Sequence, residues 1–235
     1  MMNIFLSIID CLKIFFQALR FGVLNILVEN SNSNLIRALG FLNPFFILNH
    51  KVPQGLRIKN FLESLGPMFI KFGQLLSTRT DVVPLGITSY LRGLTDQCQS
   101  FPTHKAKQII EDSLKIKIED VFEDFEDEPL AAASLAQVHR ARIKNTSEKV
   151  VVKVLRPGIH KKVRRNVRVM RAGGFLLKIF YKESERLRLK DVIDDYERTI
   201  FKELDLKVEA ANTTVTKKNF DNSDLLFIPK VFWDQ

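Results

Sequence analysis

Between Met1 and Val28, polar residues recur every three or four positions, at Asn3, Ser7, Asp10, Lys13, Gln17 and Arg20, forming one stripe. Ile4, Phe5, Ile8, Ile9, Leu12, Phe15, Phe16 and Leu19 fill most of the remaining circumference. This pattern predicts an amphipathic helix over residues 1–30, whose wide apolar face must be buried in protein or at a membrane interface. Both alternatives stay open. Residues 30–34 form a polar break, and Asn43-Pro44 and residues 51–55 are further turn signals. Helical periodicity resumes near Ile58, and Gly66-Pro67 interrupts it. Pro67 suits the first position of a new helix running to about Arg79. Phe69, Ile70, Phe72, Leu75 and Leu76 make that helix apolar almost all round, hence buried. Thr103 is read as the N-cap of a helix reaching Leu114.

Beyond Pro129 the period changes. Ala131 to Ser134 are small, and Leu135, Gln137, Val138 and His139 alternate in character. The run from Val150 to Leu155 is short, β-branched and closed by Pro157-Gly158, which predicts a strand. With a polar turn at residues 144–149, the two segments form an antiparallel hairpin. Long helices are expected over Ile159–Phe180 and Lys190–Asn219, and a third strand over Leu225–Trp233.

Composition narrows the class without fixing it. The 235 residues are 46% hydrophobic, enough for one globular domain with an extension. A formal charge of +9 suits an acidic lipid, nucleotide or nucleic-acid partner, or else a solvated basic face. Cys11 and Cys98 stand far apart without metal-ligand spacing, so a disulfide framework is not expected. Asp10, Lys13 and Arg20 interrupt the N-terminal apolar run before it reaches the ~18 residues needed to span a bilayer.

Four elements bear on chemistry. Lys153 lies in a hydrophobic strand, where an ammonium is costly unless partnered. Either it faces water from an edge strand, or it resembles the Val-Ala-Ile-Lys lysine of protein kinases, which holds nucleotide phosphates. Ala131-Ala132-Ala133-Ser134 lies where a kinase carries its glycine-rich phosphate loop, although a tight packing segment would read the same way. Glu203, Asp205 and Glu209 cannot all face one way, so at least one is expected to point inward to a cation or metal, with ordinary surface acids as the alternative. Lys71 and Gln74 share a helical face, and Gly73 allows close approach of another segment.

In this order the four elements resemble the UbiB-type atypical kinase family, protein-kinase-like ATPases tied to ubiquinone biosynthesis. Lys71-Phe72-Gly73-Gln74 is similar to the family's Lys-x-Gly-Gln signature, and Ala131 to His139 to its alanine-rich loop. Val151 to Pro157 resembles the lysine strand, and Glu203-x-Asp205 with Glu209 the Glu-x-Asp motif and helix glutamate. The resemblance implies an α+β fold: a protein-kinase-like N-lobe with a small antiparallel sheet, wrapped by family-specific N-terminal helices. It implies ATP as cofactor, with Lys153 on the phosphates and paired to Glu209. It implies that Lys71 meets Glu203 and Asp205 across the cleft where protein substrates would enter. An ATPase or small-molecule kinase is therefore expected rather than a kinase of other proteins.

The expected segments are residues 1–30, a helical extension over 31–115 carrying the Lys-x-Gly-Gln motif, and an N-lobe over 116–235. No His-x-Asp loop and no Asp-Phe-Gly occur in the sequence. A kinase-like site takes its catalytic Asp and magnesium ligands from the C-terminal lobe. The chain is therefore read as truncated, with magnesium ligands in a missing C-lobe, and as inactive alone. The alternative is a non-catalytic remnant, or a helical protein that binds a membrane or partner. Family resemblance also implies a place in the bacterial cytoplasm, peripheral to the inner membrane, with a membrane surface, lipid precursor or ubiquinone-biosynthesis protein as partner. Lys161, Lys162, Arg164, Arg165, Arg168 and Arg171 would suit such a surface, although solvated helix charges read equally well. Nucleic acid is not an expected partner, since neither zinc-finger spacing nor an RNA-binding aromatic motif is present.

Overall fold

In a computed structural model of the chain, the described residues are 2–29, 43–45, 49, 51–81, 83–95, 98–180, 188–221 and 223–233. The polar break at 30–34 and the side chains of Asn3 and Ser7 lie outside what is described. The chain divides into two compact units. One comprises Met1–Asp96 with Lys161–Glu197, the other Gln97–His160 with Arg198–Gln235.

The first unit is helical. Its elements are α1 (Met2–Arg20), α2 (Val23–Glu29), α3 (Gln54–Leu65), α4 (Pro67–Thr78) and α5 (Leu85–Leu91). They are joined by most of α8 (Ile159–Phe180) and the first part of α9 (Leu189–Glu203). The expected N-terminal helix over 1–30 is two helices. Gly22, at φ +67°, takes a left-handed backbone that ordinary residues rarely adopt, and the chain turns there. Asn43 Nδ2 donates to Leu19 O and to Asn25 Oδ1, which ties both helices to the chain beyond them.

The outward face of α1 is the unexpected one. Leu12, Phe15 and Phe16 are 63%, 55% and 53% exposed, whereas Ala18 is buried and Asp10 and Gln17 are half-buried. Asp10 forms an ion pair with Arg165 on α8. Part of the polar stripe thus faces protein, and much of the apolar stripe faces out. Elsewhere in this unit the core is conventional. Val163, Val167 and Met170 of α8 and Val192, Ile193 and Tyr196 of α9 are buried, as is Met68 of α4. Tyr196 satisfies its hydroxyl by donating to Met68 O at 2.7 Å, and its ring meets Phe72 edge-on at 5.3 Å.

The second unit is α+β, as expected. It contains α6 (Thr103–Leu114), α7 (Ile118–Val121), β1 (Ala131–Ala132), β2 (Ala136–Arg142), β3 (Lys149–Leu155) and α10 (Leu206–Asn219). The strands form an antiparallel sheet in the order β1-β2-β3. The β2–β3 hairpin pairs Gln137 with Val154, Val138 with Lys153 and Arg142 with Lys149, so the turn falls where the polar run predicts it. Because strand side chains alternate, Gln137, His139 and Ala141 share one face with Val150, Val152 and Val154. That face contributes Ala141 and Val154 to a core completed by Ala106 and Ile110 of α6, Ile118 and Val121 of α7, Phe122 and Ile143.

Three local expectations need correction. Leu225–Trp233 is not a strand, and the third strand is β1 instead. An apolar run supplies no ladder partner, Pro229 lacks an N–H, and Leu225 and Phe227 are almost fully exposed. The helix expected over Lys190–Asn219 is broken at Leu204-Asp205. Asp205 Oδ1 accepts from Lys207 N and Val208 N and caps α10, ending the run that α9 began. Thr103 is not a cap: it is the first helical residue after Pro102, and its hydroxyl donates to Asp127 O. Among the described residues no helix is long and apolar enough to cross a membrane.

Candidate functional site

The open face of the sheet carries Lys153. Ala131, Val138 and Lys153 are register partners in one row across β1, β2 and β3. Strand spacing therefore sets the Ala131 and Lys153 backbones about 10 Å apart across the sheet. Glu209 stands in the first turn of α10, where an acid also complements the helix dipole. Its two carboxylate oxygens each accept from Lys153 Nζ at 2.7 Å. The structure thus brings these two residues together, 56 positions apart in the chain.

The pair is not buried: Lys153 faces water, as a lysine on an edge strand can, and meets the glutamate as well. The Lys153 and Glu209 side chains are 41% and 49% exposed. An ion pair so open to water contributes only about 0.2–1 kcal/mol to stability. β3 is the sheet's edge among the described residues, which is why its lysine can stay solvated. The ammonium is held in place yet remains reachable.

The small-residue segment forms a hairpin, not a helix start. Ala131 and Ala132 are strand residues, and Ala133 N donates to Ala136 O at 2.9 Å, leaving Ser134-Leu135 as a two-residue connection. No residue from 131 to 136 has a positive φ, so the turn does not need glycine, and alanine suffices. Ser134 and Leu135 are buried. The Leu135 N–H has no partner among the described residues.

Behind the turn, two polar residues are fully committed. Gln137 and His139 are 0% exposed. Phe101 N donates to Gln137 Oε1 at 3.0 Å, and Gln137 Nε2 donates to Phe101 O at 3.2 Å. His139 Nδ1 lies 2.9 Å from Glu126 O, which can only accept. Nδ1 therefore carries the proton, and Nε2 accepts from Gln137 Nε2 at 2.8 Å. The ring also stacks on Phe125 at 4.8 Å. These two residues of the alanine-rich block act as packing, with no donor left for a ligand. Arg156, which sequence reasoning passed over, donates from Nε to Ala133 O at 2.8 Å and from Nη2 to Gln99 O at 2.7 Å. The available signal was a lone arginine between a strand and Pro157-Gly158.

In the first unit, α4 carries Lys71 and Gln74. Gln74 Nε2 donates to Leu94 O at 3.1 Å. A Cβ built on Gly73 would come within 2.4 Å of Leu94 Cδ1 and 2.7 Å of Leu62 Cδ1, so the glycine is required by close packing. Lys71 is half-buried. In the second unit, Glu203 ends α9, half-buried, and Asp205 caps α10.

The donor set around the turn consists of an ammonium, a guanidinium and a backbone N–H, which suits an anionic phosphate. It does not suit a divalent cation, because the one carboxylate there already accepts from Lys153. Among the described residues no group of three or more His, Cys, Asp or Glu could hold a metal.

A three-stranded antiparallel sheet whose third strand presents a lysine to a helix-borne glutamate defines a protein-kinase-like N-lobe. Residues 93–235 match the ABC1 atypical kinase-like domain, and the chain belongs to that family. The chain is 43% identical over 202 residues to the probable protein kinase UbiB of Azotobacter vinelandii, covering 85% of this chain and 37% of that protein. It is 45% identical over 184 residues to the protein of the same description from Marinobacter nauticus, covering 78% and 34%. Against that of Aeromonas hydrophila it is 39% identical over 222 residues, covering 90% and 41%. This chain therefore spans well under half the length of the curated relatives it matches. Among solved structures, the complex of Rv3197 with erythromycin from Mycobacterium tuberculosis is 24% identical, with a TM-score of 0.47 over 84% of this chain and 46% of that one.

Proposed function

We propose that the chain supplies the nucleotide-holding N-lobe of a UbiB-like atypical kinase or ATPase that supports ubiquinone biosynthesis, with ATP as the nucleotide. The observation that carries this reading is the reachable Lys153–Glu209 pair, set in one cross-strand row with Ala131 on the sheet's open face. On this reading Lys153 contacts the phosphates, Glu209 fixes its ammonium, and the turn from Ala131 to Ser134 lies alongside the triphosphate. Lys71, Gln74, Glu203 and Asp205 are assigned a regulatory role, as the family resemblance implies. Magnesium belongs to a C-terminal lobe, as the family resemblance implies. Residues 31–115 are then the helical extension, and 116–235 the lobe itself.

Calorimetric titration of the purified chain with ATP and with AMP tests this. A phosphate-directed site should bind ATP at least about tenfold tighter, since each added charge-assisted contact is worth about 1.5–3 kcal/mol. Equal affinities would end the reading.

A second reading concerns location and rests on a separate observation. The exposed Leu12, Phe15 and Phe16 of α1, with Lys13 and Arg20 on the same helix, have the composition of an interfacial helix. The chain is accordingly proposed to lie against an anionic membrane surface, where lipid precursors reside. Sedimentation with phosphatidylglycerol vesicles should recover most of the protein, and Phe15→Ser/Phe16→Ser should cut recovery several-fold at low salt. Undiminished recovery would dismiss α1 as the anchor.

A further inference from the structure

Arg156 lies one residue beyond β3 and three beyond Lys153, and both its backbone and its side chain grip the alanine turn. Its N–H donates to Leu135 O at 2.8 Å, while Nε donates to Ala133 O at the same distance. The two carbonyls it takes are those flanking Ser134. Its other guanidinium arm donates to Gln99 O, and the plane lies over the Phe101 ring, 5.8 Å from the centroid. All of these partners are neutral. Among the described residues no carboxylate pairs with Arg156, so a full positive charge rests against the turn.

Two physical consequences follow. The turn from 133 to 136 holds its shape without a left-handed residue, so its conformation is one among several that alanine and serine could adopt. A guanidinium bound to one side of the turn and a backbone bond on the other select that shape. Moreover, carbonyl oxygens repel phosphate oxygens, and those of Ala133 and Leu135 are both occupied by Arg156 donors. The Leu135 N–H is left without a competitor.

We propose that Arg156 is the positioning residue of the alanine turn and the source of the charge that makes the turn an anion site. Its ligand, a nucleotide triphosphate, rests on the function proposed above; the positioning role does not.

Two variants of the full chain, Arg156→Gln and Arg156→Lys, separate these statements. Amide hydrogen exchange without nucleotide reads the turn directly. In Arg156→Gln, exchange across residues 133–136 should rise about tenfold, while α6 and β2 keep their protection. ATP affinity should fall about three- to tenfold and AMP affinity less, reflecting one lost charge. Arg156→Lys should loosen the turn similarly, yet retain most of the preference for ATP over AMP. Unchanged exchange at the turn in Arg156→Gln would overturn the positioning role. So would a rise spread evenly over α6 and β2, because that marks a general structural role. Equal loss of ATP preference in the Lys and Gln variants would overturn the charge assignment. If the turn loosens locally while the unsubstituted chain itself fails to prefer ATP, the positioning role stands and the phosphate reading falls.

Discussion

Lys153→Ala is expected to weaken ATP binding about ten- to a hundredfold while changing the unfolding free energy by less than about 1 kcal/mol. The two numbers come from the same geometry. A pair with both partners more than two-fifths exposed contributes little to folding, because water would solvate either charge almost as well. The same exposure lets the ammonium reach a ligand. Losing it removes one charge-assisted contact to phosphate, and it also leaves the Glu209 carboxylate unneutralised where the phosphates would lie. The second effect can be isolated. Lys153→Ala/Glu209→Gln should recover part of the lost affinity, since the repelling carboxylate is gone, whereas Glu209→Gln alone should cost less than Lys153→Ala. Calorimetry for binding and urea unfolding for stability supply the two readouts. Unchanged affinity in Lys153→Ala would remove the phosphate role from that residue, and a large stability loss would mean that the pair works chiefly in the fold.

How much of this was legible in the sequence depended on the distance over which each signal acts. The β2–β3 hairpin was readable because β-branched residues, a polar turn and Pro157-Gly158 are all local. So was the start of α4, since a proline after glycine marks the first helical position by its own covalent geometry. Lys153 and Glu209 were each singled out locally, but only the resemblance paired them. Strand and helix positions 56 residues apart give no local hint that they meet. Local reasoning left Lys153 either facing water from an edge strand or serving as the kinase-type lysine; β3 is an edge among the described residues, and the lysine on it meets the glutamate as well. The long helix over Lys190–Asn219 failed for a different reason. Its apolar period continues through Leu204, but Asp205 is a strong N-cap residue, and its side chain captures two N–H groups that a continuous helix would have used internally. Leu225–Trp233 shows the limit of a short apolar run as a strand signal, because a strand exists only where another strand's edge accepts it. Gly73 was read correctly as a close-approach position. Which segments approach, Leu62 and Leu94, only the fold could specify.

His139→Ala is expected to destabilise the chain by about 3 kcal/mol, and Gln137→Leu by a similar amount. Both residues sit on an inward face of a strand, where sequence pattern would put apolar side chains, and both are completely buried. They are tolerated because each polar atom is paired. The Phe101 backbone supplies a donor and an acceptor to Gln137, and Glu126 O fixes the His139 proton on Nδ1. Among the described residues, the His139 lone pair at Nε2 then has Gln137 as its only donor. Removing the ring leaves Glu126 O and one Gln137 N–H without partners, opens a cavity and loses the stack on Phe125. Removing the amide strands Phe101 N, Phe101 O and His139 Nε2 together. The penalty in each single variant thus includes groups abandoned by the other residue, and Gln137→Leu/His139→Phe should cost less than the sum of the single changes by at least about 1 kcal/mol. Since neither side chain reaches the open face of the sheet, ATP affinity of the folded variants should be unaltered. Strictly additive losses in urea unfolding would show that the two residues are independent packing elements, and a selective loss of ATP binding would make them part of the site.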